Sequence, residues 1–590
     1  MSDKIERILE SVTKPGRYTG GEFGCAEHKS NAEVRCVFCF PDVYEVGMSN
    51  LGMRILTGRV NELPCAVCER VFTPWSDMAQ ALRKEGIPLF ALESGTPVRE
   101  FDVFFVTLPY EMCYTNLLET LDLSRIPIHS EDRAEEDPLV IAGGVCCFNP
   151  APLERFVDAF FIGDGEEAIA EIAQCVRDAK RLPRAEKLAK LAEISGVYVP
   201  LHNNGRTVRR RIITDLDAAY FPDTQIVPFI EIIHDRVSLE LFRGCTRGCR
   251  FCQAGMLYRP IRERSPEVLA KQAAKLIEAT GYDELSLSSL STSDYSRLTE
   301  LSEAMKREPI LERVQYTVPS LRVDKNLGDA LESDIRKASV TFAPEAGTQR
   351  LRDAINKGVT EEDAVYAITF AAASGISTIK LYAMVGLPTE TEEDIDGLAA
   401  LINKLAYEAK AAAKGGGHRT PKVSVSIAPF VPKPFTPFQW SAQQTFDTLL
   451  ARIYRVKNQI TNKNVTVHWH DPKLSRLEAV FAVGGREAGG VLEAAWRGGA
   501  VFDGWPELWK PAVWDEAFKS CGLTPAELVS NEKDVSAALP WDFIDAGVSK
   551  EFLWSEYQRA VKGETTPDCR SGCMMCGLEQ RKVCANAGDC

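Results

Sequence analysis

The chain has no excess of positive charge: 69 Lys and Arg stand against 83 Asp and Glu, a net charge of −14. Such an acidic chain is a poor general nucleic-acid binder, though it leaves room for a local basic patch. There is no uninterrupted apolar run of membrane-spanning length, so no membrane span is expected. The opening, Met1-Ser-Asp-Lys-Ile-Glu-Arg7, is charged throughout and does not read as a signal peptide. A cytoplasmic protein is expected. Disulfides are scarce there, so eighteen cysteines point to clusters, metals or reduced thiols. At 590 residues the chain is too long for one ordinary domain, and two to four are expected.

Residues 1–30 are polar and Gly-rich and read as an extended lead-in. Residues 31–185 alternate strand and helix. Strand candidates are Val34–Phe40, Pro88–Leu92, Asp102–Leu108 and Leu139–Ala142. Helices are expected from Ser49 (as N-cap), around Ser76–Lys84 and over Tyr114–Leu123. The apolar runs are continuous rather than alternating, which suits a parallel, doubly wound sheet covered on both faces. Ligands of such sheets bind at the carboxyl ends of the strands. The loops there include 41–48, 93–96, 108–112, Gly143-Gly144 and 163–167. Cys36 and Cys39, three apart on a strand, point to opposite faces and read as inert core, and Cys65 and Cys68 are read the same way.

Residues 186–230 read as a linker whose Arg209, Arg210 and Arg211 are solvated. A second alternation fills 231–440. Ser265-Pro266 opens a helix with apolar Leu269, Ala273, Leu276 and Ile277, and Gly281 ends it. Strands are expected at 284–287, 314–318, 339–342, 378–384 and 423–428, with helices over 361–373 and 392–408. The repeated pattern suits a barrel or partial barrel. The Pro- and Phe-rich stretch 429–438 is expected to pack across the barrel mouth. A mainly helical extension, 441–565, and a cysteine-rich tail, 566–590, close the chain. His468 and His470 share a strand face, but no third ligand is near, so packing is the favoured reading.

The most informative stretch is Arg243-Gly-Cys-Thr-Arg-Gly-Cys-Arg-Phe-Cys252. Cys245, Cys249 and Cys252 stand in CxxxCxxC spacing behind the strand-like Val237–Phe242. Three thiolates on one loop suit an iron–sulfur cluster or zinc. A structural zinc site wants a fourth ligand close by. Three ligands on a four-iron cluster leave one iron open to a small molecule. The tail repeats the spacing in Cys569, Cys573 and Cys576, with Cys584 and Cys590 following. A second metal or iron–sulfur centre is expected there.

The motif, with Phe251 before its last cysteine and the string Gln253 to Arg264 behind it, resembles the radical S-adenosylmethionine (radical SAM) superfamily. The wider pattern resembles the branch with an N-terminal cobalamin-binding-type domain. The resemblance implies a Rossmann-like first domain and a central partial (βα)6 TIM-like barrel. It implies a 4Fe–4S cluster on Cys245, Cys249 and Cys252, whose open iron chelates S-adenosylmethionine (SAM). Reductive cleavage then gives a 5′-deoxyadenosyl radical, fed by an electron donor such as flavodoxin or ferredoxin. Cofactor contacts are implied at Ser288 for the methionine end, Glu345 for the ribose and Gly386 beside adenine. Lys357 and Arg350, after Glu345, are read as solvated. Cobalamin is implied at the rim formed by Tyr110, Glu111, Gly143 and Gly144. The Asp-x-His-x-x-Gly motif that supplies a histidine ligand to cobalt is missing. Methylation of an unactivated carbon is the expected reaction. Sulfur insertion without cobalamin and a non-catalytic redox or cobalamin sensor are the alternatives. The sequence does not identify the substrate.

Overall fold

The computed structural model describes residues 3–26, 29, 31–203, 205–317, 339–581 and 583–584. The first sheet contains β1 (Val34–Phe40), β2 (Ala66–Phe72), β3 (Val103–Thr107), β4 (Leu139–Gly143), β5 (Ala159–Phe161) and β6 (Val197–Tyr198). Their order is β2-β1-β3-β4-β5-β6, parallel except for the last, antiparallel pair. Both faces are buried, as unbroken apolar strands require. On β1, Val37 and Cys39 enter one core while Cys36 and Phe38 enter the other.

Four expectations fail here for identifiable reasons. Pro88–Leu92 is not a strand, and only Phe90 makes an isolated bridge, to Pro97. The strand next to β1 is β2, whose Glu69 and Arg70 break the apolar pattern. Both are buried and satisfied: Arg70 pairs with Glu22 at 2.8 Å and Glu93 at 2.6 Å, and Glu69 accepts from Ser94 Oγ at 2.6 Å. Asn50, not Ser49, caps the helix Leu51–Asn61 by accepting from the Met53 N–H. The lead-in holds a helix, Asp3–Leu9, that buries Ile5 and Ile8. The span read as linker holds β6 and a buried Arg210.

The second α/β unit forms two all-parallel arcs. One runs Gln315–Thr317, Glu284–Ser288, Val237–Glu240. The other runs Ser339–Glu345, Thr378–Val385, Lys422–Pro429, Val465–Trp469. Val318, part of an expected strand, lies outside the described residues. The last strand falls beyond residue 440, within the span expected as helical extension. Between strands, Ser265 caps Pro266–Thr280, and Gly281 ends that helix at φ 72°. Thr360 and Thr391 each close a capping box on Glu361–Ala373 and Glu392–Gly415. Outward-facing residues of the arcs, such as Ile379, Leu381 and Val425, pack on these helices.

Helices Phe446–Gln459, Pro472–Val483, Glu487–Arg497, Pro511–Ser520 and Lys550–Lys562 dominate the C-terminal region. It shares one core with the first sheet. Asn149 donates to the Ala482 and Gly484 carbonyls, and Thr115 to Asp503. Among the described residues no helix is long and apolar enough to cross a membrane.

Candidate functional site

The cysteine loop leaves the barrel behind the Val237–Glu240 strand. Gly244 turns it at φ 95°, and a Cβ there would stand 2.6 Å from the Pro260 carbonyl oxygen. Gly248 makes a second turn at φ 77°. Cys245, Cys249 and Cys252 are all partly buried. Cys252 caps the helix Gln253–Leu257, with the Gly255 N–H donating to its sulfur at 3.3 Å. Burial pushes the Cys245 thiol up, and burial with Cys249 nearby pushes Cys252 up to about 12. Among the described residues, no three His, Cys, Asp or Glu side chains converge tightly enough to hold a metal ion. The donor set still fits an iron–sulfur cluster: three soft sulfurs on one Gly-turned loop, without a neighbouring histidine or carboxylate ligand.

The strand ends around the loop carry the three residues expected at SAM. Ser288 ends its strand, and its carbonyl accepts the Leu241 N–H at 3.0 Å, which ties it to the start of the cysteine loop. Glu345 lies at a register shift with φ 65° and pairs with Lys357 at 3.0 Å. Lys357 is not solvated: it sits 5.9 Å over the Phe251 ring, so Glu345 and the cysteine loop meet through it. Gly386, at φ 80°, donates its N–H to Glu390 Oε1 at 2.8 Å. Glu390 is pushed up to about 7 by burial, which outweighs Arg452 at 2.7 Å. Arg350 is half exposed and pairs with Asp394 in the first turn of the helix Glu392–Gly415.

At the rim of the first sheet, the four residues implied for cobalamin have different environments. Tyr110 donates to Asp42, which also accepts from Trp505 Nε1 at 3.0 Å. Glu111 is buried against Lys433 at 2.7 Å, and Lys433 also pairs with Glu478 at 2.8 Å. Lys433 lies in the stretch 429–438, whose Phe430, Phe435 and Phe438 are buried as expected. Gly144 packs on Leu108, whose carbonyl oxygen would stand 2.7 Å from a Cβ. Gly143 faces open space. Gly143 stands at the carboxyl end of β4, an interior strand.

The rim is fastened to the barrel. Arg243, two residues before Cys245, ion-pairs with Glu166 and lies 3.5 Å from Asp164 and 2.8 Å from Glu240. Arg262 also pairs with Asp164. These residues were not singled out from sequence, although 163–167 was recognised as a strand-end loop. Only a partner far along the chain reveals their role. Of the three arginines read as solvated, Arg209 is exposed, Arg211 pairs with Glu167 and Glu171, and Arg210 is buried.

The tail docks on the cysteine loop. The Cys569 N–H donates to the Thr246 carbonyl at 2.9 Å, and Thr246 Oγ1 donates to Asp568 at 2.8 Å. Asp568 also lies 3.2 Å from Arg247. The Thr566 N–H donates to Asn356 Oδ1 at 2.9 Å, while Asn356 Nδ2 donates to the Gly248 carbonyl at 3.3 Å. Burial pushes the Cys569 thiol up, with Cys584 and Cys576 adding to it. Cys573 is paired in a disulfide. Cys590 lies outside the described residues.

Two family models match the chain. Radical SAM proteins, N-terminal, covers residues 52–200, and Radical SAM superfamily covers residues 239–402. Together they span just over half of the chain. An uncharacterised protein of Methanocaldococcus jannaschii is 28% identical over 68% of this chain and 78% of its own length. An uncharacterised methyltransferase of Pyrococcus horikoshii is 23% identical over 46% of this chain and 59% of its own. Among solved structures, the radical S-adenosylmethionine methyltransferase TsrM from Kitasatospora setae, with cobalamin and a 4Fe–4S cluster bound, is similar. It is 13% identical with a TM-score of 0.49, over 82% of this chain and 99% of that one. The chain belongs to the radical SAM superfamily, with one of the superfamily's domain models matching β2 to β6 of its first sheet and the other the cysteine loop and part of its barrel.

Proposed function

We propose that the protein is a cobalamin-dependent radical SAM enzyme that methylates an unactivated carbon. One observation carries the pairing of the two cofactors. Arg243 joins Asp164 and Glu166, at the rim of the first sheet, to the strand that leads into Cys245. The ligand-binding ends of the two sheets therefore meet. When bound, the cluster supplies the electron that splits SAM to a 5′-deoxyadenosyl radical, and methylcobalamin supplies the methyl group.

The chain's own residues bind, orient and exclude water. Cys245, Cys249 and Cys252 would hold the cluster. The end of the Glu284–Ser288 strand, Glu345 and the Gly386 turn would receive the methionine, ribose and adenine parts of SAM. Lys357 holds Glu345 in place through their ion pair. Gly143 leaves space at the rim, while Tyr110 and Glu111 are held by Asp42 and Lys433 and stiffen it. The Asp-x-His-x-x-Gly motif is missing, so a bound cobalamin would have no histidine ligand from that motif. A low-potential one-electron donor protein would serve as reductant.

Anaerobic incubation of reconstituted protein with SAM and reductant should release 5′-deoxyadenosine. An intact cluster without release rejects the reading. Purified protein should also show a cobalamin absorption spectrum after loading. A second reading, sulfur insertion without cobalamin, is favoured by the docking of the Cys569 tail on the Cys245 loop. In that reading Cys569, Cys573 and Cys576 hold a second centre, which requires reduction of the Cys573 disulfide. Failure to bind cobalamin, with iron beyond one cluster per chain, would favour it.

A further inference from the structure

Arginines crowd the cysteine loop. Arg243, Arg247, Arg250, Arg262 and Arg264 each hold a carboxylate partner, as buried or half-buried cations require. Arg259 breaks the pattern. It is only 4% exposed. Its Nε donates to the Gly255 carbonyl at 3.1 Å. Its Nη1 is buried and has no hydrogen-bond partner among the described residues, and no carboxylate there pairs with it.

Its position is specific. The guanidinium lies 5.4 Å over the Phe552 ring, on the helix that leads to the tail. Its Nη2 stands 2.9 Å from where a Cβ on Gly248 would be, so glycine there admits the guanidinium against the loop. Gly255, which accepts from Arg259, donates to Cys252 Sγ. The cation is thus wedged between the cysteine loop and the helix Lys550–Lys562.

A buried cation without an anion is costly, and proteins rarely keep one without use. A thiol that ligates a metal does so as a thiolate anion. We propose that Arg259 is the built-in counter-charge of the cluster held by Cys245, Cys249 and Cys252. The proposal rests on the function proposed above. A fixed positive charge beside a cluster stabilises the reduced, more negative form and so raises its reduction potential. Arg259 tunes the cluster, held in place by Gly255 and Phe552.

The test uses full-length protein reconstituted anaerobically with iron and sulfide. A potentiometric titration is followed at the EPR signal that SAM perturbs. Arg259→Lys keeps the charge, and Arg259→Met keeps an apolar stem without it. Arg259→Met should shift the reduced-to-oxidised ratio at a fixed potential about tenfold towards oxidised, a midpoint lower by about 59 mV for one electron. Arg259→Lys should stay close to the parent. Equal midpoints in all three proteins overturn the proposal. If only the Met variant fails to assemble a cluster, the charge is needed and the proposal stands. If both variants fail alike, Arg259 is a structural residue and the proposal falls. Parent protein that takes up no iron–sulfur cluster would instead remove the function on which it rests.

Discussion

β1 and the Thr378–Val385 strand are both interior strands of parallel sheets, yet they treat their two faces differently. On β1, Val37 and Phe38 point to opposite sides and both are buried. On the barrel strand, Leu381 is 2% exposed while its neighbour Tyr382 is 46% exposed. The same alternation continues on Lys422–Pro429, where Val423, Val425 and Ile427 are buried between less buried Ser424 and Ser426. A filled barrel would bury its inner face with branched apolar residues. These strands keep theirs polar and accessible. One sheet therefore serves as a scaffold whose chemistry is confined to its rim. The other keeps a second face that is only partly buried.

The largest effect that separates the two regions is on chemistry. Cys245→Ala should reduce 5′-deoxyadenosine release to the background without protein, while circular dichroism and the unfolding midpoint stay near the parent. Retained release would move the chemistry away from the barrel loop. Next comes the fastening between the regions. Arg243→Ala leaves Glu166 without its cation, while Asp164 keeps Arg262 and Glu240 keeps Arg264; a loss of about 3–5 kcal/mol is expected by analogy with other broken buried pairs. Urea unfolding followed by intrinsic fluorescence would measure it, and a change below about 0.5 kcal/mol would show that the contact is dispensable.

The facial contrast itself gives a smaller, sharper set. Phe38→Ala in the first sheet should cost about 3–5 kcal/mol and Leu381→Ala in the barrel about 2–5 kcal/mol. Tyr382→Ala, one residue further on, should stay within about 0.5 kcal/mol. A large loss at Tyr382 would mean that the inner face is packed after all. Smallest is a pH effect at the Gly386 turn. Burial raises the Glu390 carboxyl from 4.5 to about 7, so the folded state favours its protonated form. Its contribution to stability is complete below about 4.5 and is lost as pH rises through about 7. Glu390→Gln should flatten the stability–pH curve over that window. An unchanged slope would place the titration elsewhere.

Much of the fold was legible because its signals are local. Ser265, Pro266 and Gly281 mark their helix ends, and three-residue spacing alone places Cys36 and Cys39 in opposite cores. β2 was missed because Glu69 and Arg70 look like surface residues until Glu22, Glu93 and Ser94 arrive from elsewhere in the chain. Lys357 and Arg210 were misread for the same reason: a charged residue is solvated by default, and only tertiary structure buries it. The cysteine loop was legible as a motif, with its Gly turns and Phe251. Its setting was not. The Thr246–Asp568 and Lys433–Glu111 contacts each join residues 322 apart, beyond the reach of any periodicity or spacing. The sequence marked the two rims and the tail as separate features. Only the fold shows that Arg243 joins the rims and that Cys569 reaches the loop.

The central claim is that three sulfurs on one loop leave an iron free to bind SAM. EPR spectra of the reduced, reconstituted protein with and without SAM test it most directly. The account predicts a signal that changes when SAM is added and disappears in Cys245→Ala. A spectrum that SAM leaves unchanged, or zinc in place of iron at that loop, would contradict it.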